Sequence, residues 1–160
     1  MDYIWTPWRY RYMAAAGKDD RCIFCDALTM GDEKAGIVLR GELNFIILNA
    51  FPYTSGHVMI VPYEHVADLK DCKPEALAEM MRLAQRVERA LAAEYKPDGF
   101  NLGMNLGRSA GAGVMGHVHL HVLPRWSGDA NFMTTVGETR VVPEDLETTY
   151  QRLRRALGAQ

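Results

Sequence analysis

Residues 117–123 read His117-Val118-His119-Leu120-His121-Val122-Leu123, so that histidines alternate with aliphatic residues. Side chains along a β-strand point alternately to its two faces. The alternation predicts a strand over residues 117–123 that sends its aliphatic side chains into the core and lines up its three imidazoles on the opposite face. Because a file of three polar rings is costly to bury, this pattern indicates a functional site.

Three aligned imidazoles suit two kinds of chemistry. They can share a metal ion, or one neutral imidazole can attack phosphorus while its neighbours stabilise the developing charge. The loop that precedes the strand, residues 107–116, contains four glycines, which let backbone N–H groups approach an anion closely. The loop therefore favours phosphate chemistry. A zinc hydrolase with three histidine ligands would also need a carboxylate base, and none is near in sequence.

The rest of the chain predicts a single α+β domain over residues 1–160. Short apolar runs predict strands at 37–39, 45–48, 57–61 and 100–105, which with the histidine strand make an antiparallel sheet of about five strands. An apolar stripe at helical spacing predicts one long helix over 74–95, and a second stripe predicts a C-terminal helix over 143–157. Residues 1–21 are read as an aromatic N-terminal arm and residues 134–160 as a C-terminal extension.

Composition excludes several classes of function. The net charge is -2, so the chain offers no bulk basic field for a nucleic-acid backbone. No apolar run approaches the roughly 18 residues of a membrane span, and the N-terminus lacks the apolar core of a signal peptide. Three cysteines, an odd count, suit a reducing compartment. We therefore expect a cytoplasmic protein that binds neither nucleic acid nor membrane.

The histidine strand resembles the signature of the histidine triad (HIT) nucleotide hydrolases and transferases, His-x-His-x-His followed by two apolar residues. The likeness extends to the run Ser55-Gly56-His57-Val58-Met59-Ile60-Val61-Pro62 and to the order of strands and helix. The opening Trp5-x-Pro7-Trp8-Arg9 and the run over 124–133 resemble the bacterial branch usually assigned as diadenosine tetraphosphate phosphorylases. The resemblance implies a HIT-like fold.

The resemblance also implies catalytic roles for four histidines. The middle histidine of the motif, His119, matches the family's nucleophile, whose attack on the α-phosphate would give a nucleotidyl-histidine intermediate. His121 and His57 match positions that contact phosphate oxygens. His117 matches the first histidine of the motif, which sits behind the nucleophile.

Four further residues match nucleotide-binding positions, and two glycines are expected to contribute backbone amides. Asn49 matches a ribose-contacting position, although an Asn there can also simply cap a turn, and Asn105 matches a contact to the phosphates or the leaving group. Ile47 and Met59 match positions that line the base pocket. Many members place Gln and then Ser or Thr where this chain has Gly113 and Val114. We therefore expect backbone amides of the loop, at Gly111 and Gly113, to replace two side-chain contacts to phosphate.

Cys22 and Cys25 have the spacing that binds one zinc ion, but they supply only half of a site. In zinc-bearing relatives, two cysteines are joined by a histidine after the third strand and by the first histidine of the motif. These positions are His65 and His117 here, so the resemblance implies a structural zinc site. The alternative is two reduced thiols packed under the sheet.

The sequence thus predicts an enzyme that cleaves dinucleoside polyphosphates of the diadenosine tetraphosphate type, with inorganic phosphate as the expected acceptor and water as the alternative. Two other functions stay open: a HIT-type hydrolase or phosphoramidase acting on adenylylated small molecules, and a nucleotide-binding protein with vestigial activity. By resemblance we expect a homodimer, with contacts through the strand before the motif and the long helix.

Overall fold

The computed structural model describes residues 21–137 and 142–158. Five strands form one sheet: β1 (Ile37–Arg40), β2 (Asn44–Leu48), β3 (Val58–Pro62), β4 (Gly99–Gly103) and β5 (Leu120–Arg125). Their order is β1-β2-β3-β5-β4, and every neighbouring pair is antiparallel. The described helices are α1 (Ile23–Ala27), α2 (Asp32–Ala35), α3 (Pro74–Tyr95), α4 (Phe132–Thr135) and α5 (Leu146–Gly158). The predicted α+β fold with about five antiparallel strands is confirmed.

The central strands are buried on both faces, and their alternation separates two apolar clusters. Ile46 of β2 and Ile60 of β3 belong to the larger cluster, which packs under α3 and α5. Ile47 and Met59, one residue away on the same strands, belong to the smaller cluster on the opposite face, which includes Phe24 of α1. The long helices therefore cover one face of the sheet and leave the other face to short elements and loops.

Both predicted long helices are present. α3 has the predicted bounds, because Pro74 suits its first turn and residue 96 adopts a left-handed conformation that ends it. α5 begins three residues after the predicted start at Pro143. The side chain of Asp145 accepts a hydrogen bond from the N–H of Thr148 at 2.7 Å, and this N-terminal cap sets the first turn.

The strand predicted over 117–123 begins only at Leu120, and the cause lies in β3. The ladder pairs Ile60 with Leu120, so its next rungs would involve Val61 and Pro62. A strand residue points its N–H and C=O to the same side. Pro62 has no N–H, and its carbonyl oxygen lies 2.9 Å from Nε2 of His117. The ladder therefore stops, and the N–H of Val118 donates to the carbonyl of Val66 instead.

Three short helices, α1, α2 and α4, were not predicted. Helices of four or five residues contain too few turns for a periodic apolar stripe. The N-terminal arm predicted over residues 1–21 lies outside the described residues, apart from residue 21. Within the described ranges, no helix is long and apolar enough to span a membrane.

Candidate functional site

A cavity of about 270 Å³ opens on the sheet face that the long helices leave uncovered. Its walls come from α1, α2, the end of β2 with the loop that follows, the starts of β3 and β5, and the loop over 107–116. Eight of the residues predicted from the sequence line this cavity: Ile47, Asn49, Met59, Asn105, Gly111, Gly113, His119 and His121. The fold therefore brings together in one place residues that are up to 74 positions apart.

His119 is the ring whose state is most tightly defined. Its Nδ1 lies 2.9 Å from the backbone carbonyl oxygen of His117, which can only accept, so Nδ1 carries the proton and Nε2 keeps its lone pair. Burial lowers the pKa of His119 below its usual range and outweighs the opposing effect of the hydrogen bond to His117. His119 is therefore a neutral imidazole at pH 7 and can act as a nucleophile through Nε2.

His121, unlike His119, presents a hydrogen-bond donor, and two hydrogen bonds in series set this state. The backbone N–H of Tyr53 donates to Nδ1 of His57 at 3.2 Å, so the neutral ring of His57 carries its proton on Nε2. That Nε2 lies 2.9 Å from Nδ1 of His121 and donates to it. His121 therefore carries its own proton on Nε2, which makes this atom a hydrogen-bond donor.

The two hydrogen-bonded rings, His57 and His121, are strongly biased toward the neutral form. Burial, together with the nearby His121 and His119, lowers the pKa of His57 to about 3. Burial and His119 lower the pKa of His121 to about 4. The group that donates from His57 to His121 is thus the N–H of a neutral ring at physiological pH. The backbone amide of Tyr53 fixes the direction of this hydrogen bond, because it occupies Nδ1 of His57.

His57 does not reach the cavity wall. Its side chain is 1% exposed, and it lies behind His121. The direct contact of His57 with phosphate oxygens that the resemblance implies stays a prediction. In this structure Nε2 of His57 lies 2.9 Å from Nδ1 of His121, so His57 is placed to orient His121, which lines the cavity.

Two of the other predicted binding residues are already engaged by the backbone. Gly111 adopts a left-handed conformation with φ 85°, and its N–H donates to the carbonyl of Arg108 at 3.0 Å. The Oδ1 of Asn49 accepts from the N–H of Phe51 at 2.9 Å, so Asn49 caps a turn as well as lining the cavity.

The fourth histidine, His117, faces a group of metal-ligand side chains. One potential ligand atom from each of Cys22, Cys25, His65 and His117 lies within 4.8 Å of all the others. The Nε2 of His117 donates to the carbonyl of Pro62, which leaves Nδ1 with a lone pair 3.3 Å from Sγ of Cys22. Sγ of Cys25 lies 3.3 Å from Nδ1 of His65. Two thiols and two imidazoles fit zinc, so these four residues could hold a metal ion. We call them the metal cluster.

Two residues of the site were not predicted from the sequence. Tyr53 fixes the proton of His57 through its amide, and its ring lies 4.7 Å from the ring of His57. Phe24 lies between the two cysteines and packs against His119 with 5.0 Å between ring centroids. Both are ordinary apolar positions in sequence. Two sequence signals could have pointed to these residues. Phe24 stands inside the Cys-x-x-Cys pair, and Tyr53 stands in the loop just before His57.

The strand order, the histidine-lined cavity and the neutral ring with a free Nε2 together define a histidine triad protein. Residues 31–128 match the HIT domain family. Over 158 residues the chain is 40% identical to the AP-4-A phosphorylase of Mycobacterium tuberculosis, an alignment that covers 94% of this chain and 81% of that protein. It is 39% identical over 139 residues to an uncharacterised HIT-like protein of the same species, covering 87% of this chain and 94% of that one. The chain belongs to the HIT family.

Solved structures agree with this assignment. A zinc-bound histidine triad family protein from Mycobacterium smegmatis superposes with a TM-score of 0.69 at 34% identity, covering 86% of this chain and 94% of that one. A hypothetical histidine triad nucleotide-binding protein from Sulfolobus tokodaii gives a TM-score of 0.69 at 27% identity, with coverage of 86% and 93%. The predicted family, fold and enzyme class are thereby confirmed, the class by similarity to the phosphorylase over most of the chain.

Proposed function

We propose that this enzyme cleaves dinucleoside polyphosphates of the diadenosine tetraphosphate type and transfers a nucleotidyl group first to His119 and then to inorganic phosphate. The name of the M. tuberculosis relative supports the substrate class. The observation that carries the mechanism is the hydrogen bond from His119 Nδ1 to the carbonyl of His117, because it leaves Nε2 as the nucleophilic atom.

In the first step, the lone pair of His119 Nε2 forms a bond to the α-phosphorus at one adenosine end. The bond from that phosphorus to the α,β-bridging oxygen breaks, and this oxygen leaves as part of adenosine triphosphate. His121 Nε2–H donates a hydrogen bond to the leaving oxygen. The positive charge that develops on the ring of His119 is stabilised by the carbonyl of His117, which still accepts from Nδ1.

In the second step, an oxygen of inorganic phosphate attacks the same phosphorus and the P–N bond breaks. The product is adenosine diphosphate, and His119 regains its lone pair. Water in place of phosphate would give adenosine monophosphate. Asn105 and the backbone around Gly113 are the proposed contacts to the phosphates, while Ile47 and Met59 contact the base and Asn49 the ribose.

Product analysis tests this proposal directly. Purified protein is incubated with diadenosine tetraphosphate, with and without inorganic phosphate, and the nucleotides are resolved by ³¹P NMR or chromatography. We expect ADP and ATP in equal amounts when phosphate is present. AMP and ATP at the same rate under both conditions would make the enzyme a hydrolase.

A second substrate separates the proposal from its alternatives. Adenosine 5′-phosphoramidate contains the same α-phosphorus but only one nucleoside. A much higher kcat/KM for this compound than for diadenosine tetraphosphate would favour action on adenylylated small molecules. Tight nucleotide binding without turnover of either compound would leave a nucleotide-binding protein and refute the enzymatic proposal.

We propose that the metal cluster holds one structural zinc ion. All four of its ligands come from protein side chains, as in closed structural sites, so no position is assigned to substrate. When bound, the ion would tie α1 to the segment that leads into β5. Reduced Cys22 and Cys25 are required for this site, so we also place the protein in the cytoplasm.

We further propose a homodimer that uses the β4 edge of the sheet and α3. β4 pairs with β5 on one side and forms an edge of the sheet on the other. Leu102 on β4 and Met81 on α3 are large apolar side chains that are 43% and 53% exposed. Exposed apolar side chains, and a strand edge that no other described strand pairs with, are suited to association. Sedimentation velocity at micromolar concentration tests this state.

A further inference from the structure

Phe24 lies at the point where the metal cluster meets the histidine cavity. It is the second residue of α1, it falls between Cys22 and Cys25, and its side chain is 1% exposed. The ends of this four-residue segment, Cys22 Sγ and Cys25 Sγ, lie 3.3 and 3.7 Å from Nδ1 of His117. A metal bound by these atoms would fix the position of Phe24 relative to His117.

The ring of Phe24 contacts two histidines at once. Its centroid lies 5.4 Å from that of His117 in an edge-on arrangement, with an interplanar angle of 77°. It lies 5.0 Å from that of His119 with an angle of 52°. Both separations fall in the range of favourable aromatic pairs.

His119 therefore has two supports on the side of the metal cluster. One is the carbonyl of His117, which fixes which nitrogen carries the proton. The other is the ring of Phe24, which limits rotation of the imidazole about its bond to Cβ. A single hydrogen bond at Nδ1 still tolerates some rotation of the rigid ring about the Cβ–Cγ bond, and that rotation moves the attacking atom Nε2. The packed ring of Phe24 narrows this range.

We propose that Phe24 is a positioning residue that, beside the carbonyl of His117, holds the His119 imidazole for attack. The inference rests on the proposed function. Its chemical basis is the narrow tolerance of attack geometry, since a displacement of about 1 Å can cost about 10²-fold in rate.

Phe45 provides a matched control for this role. It belongs to the same apolar cluster as Phe24 and is 0% exposed, but its ring contacts Tyr63 at 5.4 Å and it does not line the cavity. Phe24→Leu and Phe45→Leu remove the same ring from the same cluster. Both should lower the free energy of unfolding, and only the first should disturb His119.

The experiment compares the two variants with wild type on diadenosine tetraphosphate and phosphate, after zinc content has been measured for each protein. Phe24 also lines the cavity, so KM should rise as well. We expect Phe24→Leu to lower kcat by about 10- to 100-fold, more than KM rises, because the main loss is in the geometry of attack. Phe45→Leu should keep kcat within about twofold. A rise in KM alone for Phe24→Leu would mean that Phe24 only contacts the nucleotide, and equal kcat for the two variants would mean that it only fills the core. Either result overturns the proposal.

A second readout does not depend on turnover. Long-range ¹H–¹⁵N spectra of the imidazoles report which nitrogen of each ring is protonated. Because the carbonyl of His117 still fixes the tautomer, all three proteins should show His119 protonated on Nδ1. Phe24→Leu alone should show shifted or broadened His119 signals, because the ring then samples more than one orientation. An unchanged His119 spectrum in Phe24→Leu refutes the positioning role. If Phe24→Leu does not fold, Phe24→Met conserves the volume and is read in the same way. Failure of wild type to cleave the dinucleotide would refute the proposed function, while the spectra still decide whether Phe24 holds His119.

Discussion

His117 and His119 are two residues apart on the same segment, and the backbone gives them opposite orientations. His117 binds the carbonyl of Pro62 through Nε2 and presents Nδ1 to the cysteines. His119 binds the carbonyl of His117 through Nδ1 and presents Nε2 to the cavity. The residue type therefore sets only the kind of chemistry available. The carbonyl that each ring meets decides which nitrogen is offered, and therefore whether the ring suits a metal or a phosphorus atom.

The largest expected effect comes from removing the ring that offers Nε2. His119→Ala should lower kcat by about 10⁴-fold or more, because it removes the covalent step. Binding of a non-hydrolysable dinucleotide analogue, measured by calorimetry, should stay close to the wild-type affinity. Wild type denatured during turnover should carry a nucleotide on His119 as an acid-labile phosphoramidate. Wild-type turnover by the variant, or a label on a cysteine or serine, contradicts the assignment.

The next effect concerns the donor that faces the nucleophile. His121→Ala should lower kcat by about 10²- to 10³-fold, as for loss of one group that stabilises developing charge. His57→Ala should give a smaller loss, because His57 acts on the substrate through His121. The double variant should then be little worse than His121→Ala, since the two residues form one chain. Steady-state kinetics measures all three, and fully additive losses would show that His57 acts independently of His121.

For His117 and the other residues of the metal cluster, the expected effect is on the free energy of unfolding. Wild type should contain about one zinc per chain, and Cys22→Ser should lower both zinc content and the free energy of unfolding. At a free metal concentration of 100 Kd, binding stabilises the native state by about 2.7 kcal/mol. Cys72→Ser is the matched control, because Cys72 lies outside the metal cluster. Metal analysis and urea unfolding test this, and full stability in strong chelator with no zinc detected would contradict it.

A last effect, spread over several pH units, is a dependence of stability on pH. The native pKa values of about 3 for His57 and about 4 for His121 lie below the unfolded value of about 6.5. The unfolded chain therefore binds more protons below pH 6.5, and stability is lost as the pH falls toward 4. Each ring contributes up to about 1.4 kcal/mol per pH unit. The variant His57→Gln/His121→Gln should show a flatter profile in urea unfolding, and an identical slope would contradict this origin.

Much of the fold and the site could be predicted because the signals were local. The resemblance assigned Ile47 and Met59 to the base pocket, and both line the cavity. The apolar stripe and the flanking prolines predicted α3 over 74–95. The grouping of Cys22, Cys25, His65 and His117 followed from resemblance rather than from spacing alone. Tyr53 and Phe24 could not be found in this way, since their roles depend on contacts made only after the sheet has formed. The place of His57 behind His121 likewise depends on packing.

The proline at the end of β3 has a consequence for how this protein can be improved. With an N–H at position 62, the sheet could gain further rungs across β3 and the histidine segment, and such a chain could be selected for heat resistance. The added pairing would pull the segment into a regular pleat and take away the carbonyl that orients His117. Pro62 would then be a residue at which higher thermostability lowers turnover. Such conflicts are common where function depends on a segment that does not complete its strand pairing. Engineering for stability should therefore conserve Pro62 and work on the α3 and α5 face.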